Sequence, residues 1–270
     1  MQNVPEILGI IAGSGVYPAA MAAGARRAGV ARVAVAAFVD ETDPVLESSI
    51  EAWEWLKVGQ LGKLSKFFQR HGVTQAVMCG QIAPKNLFAL SPDLRLLMML
   101  ARLKERNAET LFGGIADELA KDGITLLPAV SFLEDHLPAA GHLYGPVRKP
   151  KELLDVAFGL KIARETSRLD IGQTVVVRRG TVLAVEAFEG TNECMKRGGS
   201  MGKGKATVVK VSKPNQDFRF DVPVVGPKTI ETAAAAGILV LAIEAGRTLL
   251  LEKEETARLC DQFNITLVAV

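Results

Sequence analysis

The sequence predicts an α/β protein in two parts: an N-terminal Rossmann-like doubly wound parallel sheet, then a C-terminal α/β domain with a mixed sheet. Three observations predict it. Short apolar runs alternate with amphipathic stretches through the first half, which is the pattern of successive βαβ units. Hydrophobic residues make up 49% of the 270 but aromatics only 6%, so Ala, Val and Leu carry the core, as strands covered on both faces require. In the second half TVVVRRGTVLAV breaks the alternation and reads as two strands meeting at Arg178-Arg179-Gly180-Thr181.

The elements follow in order. Residues 7–12 are an apolar run closed by Gly13-Ser14-Gly15, and an alanine-rich helix extends to Ala28. Residues 32–38 form a second strand with Asp40 just past its end, and residues 52–58 a third, followed by a helix over 61–70. A fourth strand over 74–79 closes on Gly80; helices over 92–104 and 108–121 and a strand over 124–127 complete this part. The regularity then stops. FLEDHLPAAGHLYGPVRKP carries Pro138, Pro146, Pro150, Gly141 and Gly145, the composition of a connector. The expected organisation is a domain over 1–132, a linker over 133–150 and a catalytic α/β domain over 151–270. In the latter a helix over 151–167 precedes the hairpin, a polar glycine-rich stretch over 189–205 and a strand over 206–211. A helix starts at Pro227, strands cover 238–243 and 265–270, and a helix over 252–262 lies between them.

A formal net charge of +2 gives no footprint of a nucleic-acid binder. Cys79, Cys194 and Cys260 are scattered, with neither disulfide nor zinc spacing. The start lacks the basic residues and cleavage site of a secretory signal, and no apolar run approaches the ~18 residues of a membrane span. A cytoplasmic protein with reduced thiols is expected.

Gly13-Ser14-Gly15 between a strand and a helix suits close approach of backbone to phosphate, with Asp40 placed for a ribose hydroxyl. The plainer reading is a tight turn and a solvated acid, and the third glycine of a dinucleotide fingerprint is replaced by Pro18. That counts against an NAD-dependent dehydrogenase. Gly80 offers similar access, or is an ordinary strand end. Richer chemistry lies in VEAFEGTNE and GKGKATVVKVSKPNQDFRFDVPVVGPKT. There Glu186, Glu189, Thr191, Asn192 and Glu193 stand near Lys203, Lys205, Lys210, Lys213, Arg219 and Lys228, with Asp217 and Asp221 among the cations. Carboxylates for a divalent metal and water, and cations for developing phosphate charge, are what hydrolysis of a pyrophosphate needs. Asp221, set between Phe220 and Val222, is alternatively a cap or a partner of Arg219. His71, His136 and His142 show no ligand spacing, and Ser14 and the cysteines have no base partner. LRLLMMLARL is apolar almost all round, as a buried helix, or else as a wall for acyl chains or a shallow membrane contact.

LGIIAGSGVYP, VMCGQIAP, LDIGQTVVVRRGTVLAVEAFEGT and PNQDFRFDVPVVGPKTIE resemble the UDP-2,3-diacylglucosamine diphosphatase family of the LpxI type, which lacks the metallophosphoesterase signature. The resemblance runs over nearly the whole chain. It implies magnesium-assisted hydrolysis of UDP-2,3-diacylglucosamine to UMP and lipid X in lipid A biosynthesis, with two domains and the acylated product held in a chasm between them. The family's essential acid falls on Asp221. With the residue chemistry, this gives Asp221 and Glu189 as metal ligands, with Glu186 or Glu189 assisting Asp221 in activating water. Lys205, Lys210, Lys213 and Arg219 would stabilise charge. Gly13, Ser14, Gly15, Gly80, Gln81, Gln173, Thr191 and Asn192 would bind substrate. Asn192 stands where the family carries aspartate, Gln81 where it carries lysine, and Asn107-Ala108-Glu109 where it tends to have GDD. A two-chain lipid substrate predicts transient contact with the inner membrane, and a homodimer is compatible with the sequence. The alternative reading is a sugar-nucleotide binder, or a hydrolase of another nucleotide-linked substrate.

Overall fold

The computed structural model describes residues 4–82, 91–103, 108–214 and 216–270, with the side chains of 108 and 109 left aside. The chain divides into two compact units, residues 1–134 with 217–221, and residues 135–216 with 222–270.

In the first unit five strands, β1 (Ile7–Ala12), β2 (Arg32–Phe38), β3 (Ala52–Leu56), β4 (Gln75–Cys79) and β5 (Thr125–Leu126), form one sheet in the order β3-β2-β1-β4-β5. Every pairing is parallel. This is the doubly wound order that the sequence predicts, with its reversal between β1 and β4. Helices α1 (Tyr17–Arg27), α2 (Leu61–Arg70), α3 (Leu94–Leu100) and α4 (Ala108–Ala120) accompany it. The core gathers Ile11, Ala34, Phe67, Phe68, Leu119 and Ile124. A charged network ties three of the helices. Arg95 of α3 donates to Glu118 Oε2 of α4 at 3.1 Å and to Asp122 just beyond it; Asp122 also accepts from Ser65 of α2, and Lys121 pairs with Glu118. The apolar helix α3 is buried only at Leu96 and Met99, while Leu94, Leu97 and Met98 are exposed. The helix ends at Leu100, with Ala101 as its C-cap and residues 102–103 beyond it, short of the expected end at residue 104; residue 104 itself and the Asn107 position lie outside the described residues.

The second unit is built on a mixed sheet, β6-β13-β11-β9-β7-β8. Its strands are β6 (Gly141–Tyr144), β7 (Thr174–Arg178), β8 (Thr181–Val185), β9 (Ala206–Lys210), β11 (Ile238–Ile243) and β13 (Thr266–Ala269), and a short parallel pair joins β10 (Val224–Val225) to β12 (Leu249–Leu250). β9, β11 and β13 run parallel, and β7 runs antiparallel to both β8 and β9. Strand alternation splits the core in two. Val176, Val208 and Leu241 join one cluster, and their neighbours Val175, Val177, Val209 and Val240 the other. Helix α5 (Leu154–Arg168) packs on the second face, and α6 (Thr191–Gly202), α7 (Pro227–Ala235) and α8 (Lys253–Gln262) on the first. The β7–β8 turn has positive φ at Arg179 (49°) and Gly180 (71°), as a two-residue hairpin loop demands, and the Asp155 carboxylate accepts both amides.

Three sequence expectations change. The 133–150 stretch is more than a linker: residues 141–144 form β6, paired with the end of β13. The glycine-rich stretch over 189–205 contains helix α6. Its glycines make a packing face, since a Cβ at Gly198 would come within 2.7 Å of Val176, at Gly199 within 2.8 Å of the Ala236 carbonyl carbon, and at Gly202 within 2.6 Å of Ala206. Asp221, expected in the C-terminal domain, belongs by its contacts to the first unit.

Candidate active site

In the first unit the loops after β1 and β4 are joined to each other. Gly13 N–H donates to Cys79 O at 2.8 Å, Ser14 N–H to Gln81 O at 2.8 Å, and Gln81 N–H to Ser14 O at 3.2 Å; the Ser14 hydroxyl also reaches Gln81 O at 2.9 Å. A Cβ at Gly13 would lie 2.5 Å from Gln81 O, and one at Gly80 would lie 2.7 Å from the Gly13 carbonyl carbon. Here glycine serves loop-to-loop contact, and the amides of Gly13, Ser14 and Gln81 are spent on it. Gly15 differs: at φ 89° it has open space around it, at the start of α1, whose N-cap Val16 makes no side-chain cap. Of the three residues of that turn, Gly15 therefore keeps room for a ligand. Asp40 is exposed in a turn at φ 64°.

The segment carrying Asp221 is fixed to the same unit by its aromatic residues. Ala129 N–H donates to Phe218 O at 2.6 Å, and the Phe220 ring packs on Phe112 with centroids 5.5 Å apart. Arg219 engages both Asp217 oxygens, and this hydrogen bonding holds the Asp217 carboxyl below the usual carboxylate range. Arg219 is thus partnered by Asp217, while Asp221, exposed, follows the docked ring.

In the second unit the predicted residues separate into three groups. The first is a compact cluster at the carboxyl edge of the sheet. β8 ends into Glu186, β9 ends in Lys210, and antiparallel β7 starts at Thr174 with Gln173 before it, so all four meet there. Glu186 is 8% exposed. Its Oε1 accepts from the Thr191 hydroxyl at 3.1 Å; that hydroxyl accepts from Lys210 Nζ at 3.2 Å and lies 3.2 Å from Thr174 Oγ1. Gly172 permits the arrangement by close approach: a Cβ there would run into the Glu186 carbonyl.

The second group closes the β8–α6 loop. Glu189 accepts from Arg197 at 2.5 Å and from the Ala187 amide at 3.0 Å, and Arg197 also holds Val185 O at 2.8 Å. Arg197 keeps the Glu189 carboxyl below its usual range. Both oxygens of Glu189 already serve the loop, a brace that sequence spacing gave no sign of. Asn192 is exposed in the first turn of α6.

The third group is two lysines outside these contacts. Lys213 pairs with Asp170. Lys205 precedes β9 and Lys210 ends it, which at about 3.3 Å per residue sets them roughly 16 Å apart. Strand length removes Lys205 from the cluster.

Other nucleophiles and bases stand elsewhere. The three cysteines are buried and free, and burial pushes the Cys194 and Cys260 thiols up to about 12. His136 pairs with Asp135 at 2.8 Å, and His142 meets Gly145 O at 2.9 Å. Among the described residues no group of three or more His, Cys, Asp or Glu is placed to hold a metal. No helix among them is long and apolar enough to cross a membrane.

Comparison with known proteins covers both units. Residues 7–136 match the family model described as the LpxI N-terminal domain, and residues 139–268 that of the LpxI C-terminal domain. The chain is 32% identical over 274 aligned positions to a Caulobacter vibrioides protein named UDP-2,3-diacylglucosamine pyrophosphatase LpxI, with 97% of each chain covered.

Proposed function

Since the chain belongs to the LpxI family, we propose that it hydrolyses the pyrophosphate bond of UDP-2,3-diacylglucosamine, releasing UMP and 2,3-diacylglucosamine 1-phosphate in lipid A biosynthesis. The observation that carries this is likeness to the pyrophosphatase along the full length, through both domains. The residues fit the chemistry. Water adds to one phosphorus, the anhydride P–O bond breaks to the other phosphate, and one proton of the water must be taken up. Asp221 is the carboxylate that orients this water and accepts the proton. Its place beside the docked Phe220 ring holds its backbone steady. In the second unit Lys210 offers a positive charge for phosphate oxygens.

Magnesium suits this donor chemistry. It prefers oxygen ligands, keeps several waters and uses one or two carboxylates with substrate phosphates, so a cage of three protein ligands is not required. Asp221 is the residue that would hold it, in preference to Glu189, whose oxygens brace the β8–α6 loop. When bound, the ion would neutralise phosphate charge. With the acylated substrate at hand, the enzyme works at the cytoplasmic side of the inner membrane and touches it transiently.

The test is Asp221→Ala. Turnover should fall by about 100-fold or more, the scale of a lost general base, in a variant that still melts cooperatively. Turnover near that of the parent would remove Asp221 from the reaction.

A further inference from the structure

We propose that the amino end of α6 and Lys210 form a phosphate seat within the second unit, with Glu186 and Thr191 as its positioning residues. This rests on the diphosphatase reading for its ligand, though the geometry stands within one unit. Helix α6 has twelve residues, and its first intrahelical bond is Cys194 N–H to Gly190 O. Gly190, at φ 83°, has no side chain to cap the helix, and among the described residues no side-chain cap forms. The amides of Thr191, Asn192 and Glu193 therefore point out of the helix start, where the dipole favours an anion.

Two further observations point to a ligand there. Lys210 Nζ is held 3.2 Å from the Thr191 hydroxyl, in the first turn of the same helix. The hydroxyl has one proton and gives it to Glu186 Oε1, so its oxygen is turned to accept from the ammonium. Thr174, directly opposite Lys210 in the β7–β9 ladder, packs its own hydroxyl against this junction. A flexible lysine is thereby fixed by a threonine, and the threonine by a buried acid. The other observation is an unfilled acceptor. Glu186 Oε2 is buried and has no hydrogen-bond partner among the described residues, and neither has Gln173 Oε1 beside Thr174. Buried acceptors without donors are costly. A ligand bringing hydroxyl donors with its phosphate supplies what these atoms lack. The ligand class is thus a sugar phosphate, from either the nucleotide or the glucosamine side of the substrate.

In this arrangement the Thr191 hydroxyl is saturated by protein and makes no bond to substrate. Glu186 orients Lys210 through Thr191, in place of the part in metal holding or water activation that its sequence context suggests.

Calorimetric titration of the full chain with UMP, glucosamine 1-phosphate and inorganic phosphate separates the sources. Thr191→Val keeps the shape and removes the hydroxyl; Thr191→Ser restores it. One of the two sugar phosphates should bind the parent more tightly than inorganic phosphate does, and the tighter one names the half of the substrate that is held. Its affinity should drop by about tenfold in Thr191→Val and in Lys210→Met, the scale of one charge-assisted hydrogen bond. Thr191→Ser should lie within about threefold of the parent. Equal binding by the parent and Thr191→Val, failure of serine to rescue, or no binding of either sugar phosphate would overturn the proposal. The hydrolysis reading is judged separately. Parent protein that binds with this pattern but releases no UMP keeps the seat and loses the diphosphatase. Normal hydrolysis with an indifferent Thr191→Val does the reverse.

Discussion

Replacing Gly172 by alanine tests how tightly fold and cluster are coupled. Gly172 does not occupy a left-handed conformation, so alanine is acceptable to the backbone and the effect is one of contact alone. The new Cβ would run into the Glu186 carbonyl oxygen, 2.6 Å from its carbon and 3.0 Å from the Glu186 Cβ. Backbone on both sides leaves no flexible side chain to yield, and overpacking of this kind costs about 1–3 kcal/mol. Moving Glu186 also strains its N–H bond to Thr174 O, at 2.8 Å, worth about 1 kcal/mol. Together the loss is about 2–4 kcal/mol. For a unit of this size that lowers the melting temperature by roughly 6–15 °C. Because Glu186 moves, UMP release should fall as well. Gly113→Ala is the control: a Cβ there meets nothing within 4 Å, inside helix α4, and should stabilise by about 0.5–1 kcal/mol. The variants are compared by calorimetric melting and by turnover. A Gly172→Ala protein that melts within about 1 °C of the parent and turns over normally would refute the reasoning.

The helix-tying network of the first unit gives a second stability prediction. Arg95 is 23% exposed in its side chain, with Glu118 at 12% and Asp122 at 22%. Arg95→Met should destabilise by about 1–3 kcal/mol in urea unfolding: removing one partner of a fully buried pair costs about 3–5, and partial exposure here reduces it. The same network sets an acid dependence. Lys121 depresses the Glu118 carboxyl and Arg95 that of Asp122, so their contribution is present above the ordinary carboxylate range and lost as pH falls through the lowered folded values. Stability of the parent should decline from about pH 5 towards pH 2, and less steeply in Arg95→Met; parallel pH profiles would remove the network from that decline.

Much of the fold is legible in the sequence because its strands are short, apolar and bounded. β1 and β2 match the apolar runs residue for residue, and the hairpin turn lies where Arg179-Gly180 puts it. What escaped has physical causes. Helix α6 hides behind Gly198, Gly199 and Gly202, which read as loop but are small so that the helix can approach Val176, Ala236 and Ala206. β6 hides among prolines and glycines because its order comes from pairing with β13, a partner more than 100 residues away. Nothing local tells that Phe220 docks on Phe112 and takes Asp221 into the first unit. The candidate residues were recognisable by type, but their partners were not. Glu186 and Glu189 look alike three residues apart, yet one enters a cluster with Thr191 and Lys210 and the other is spent on Arg197.

The most direct measurement is product analysis of the purified protein with UDP-2,3-diacylglucosamine, in magnesium and then in EDTA. UMP and 2,3-diacylglucosamine 1-phosphate, formed in equal amounts with magnesium and not with EDTA, are the predicted result. Substrate that stays intact in both conditions while remaining bound would contradict hydrolysis and leave a sugar-nucleotide binder.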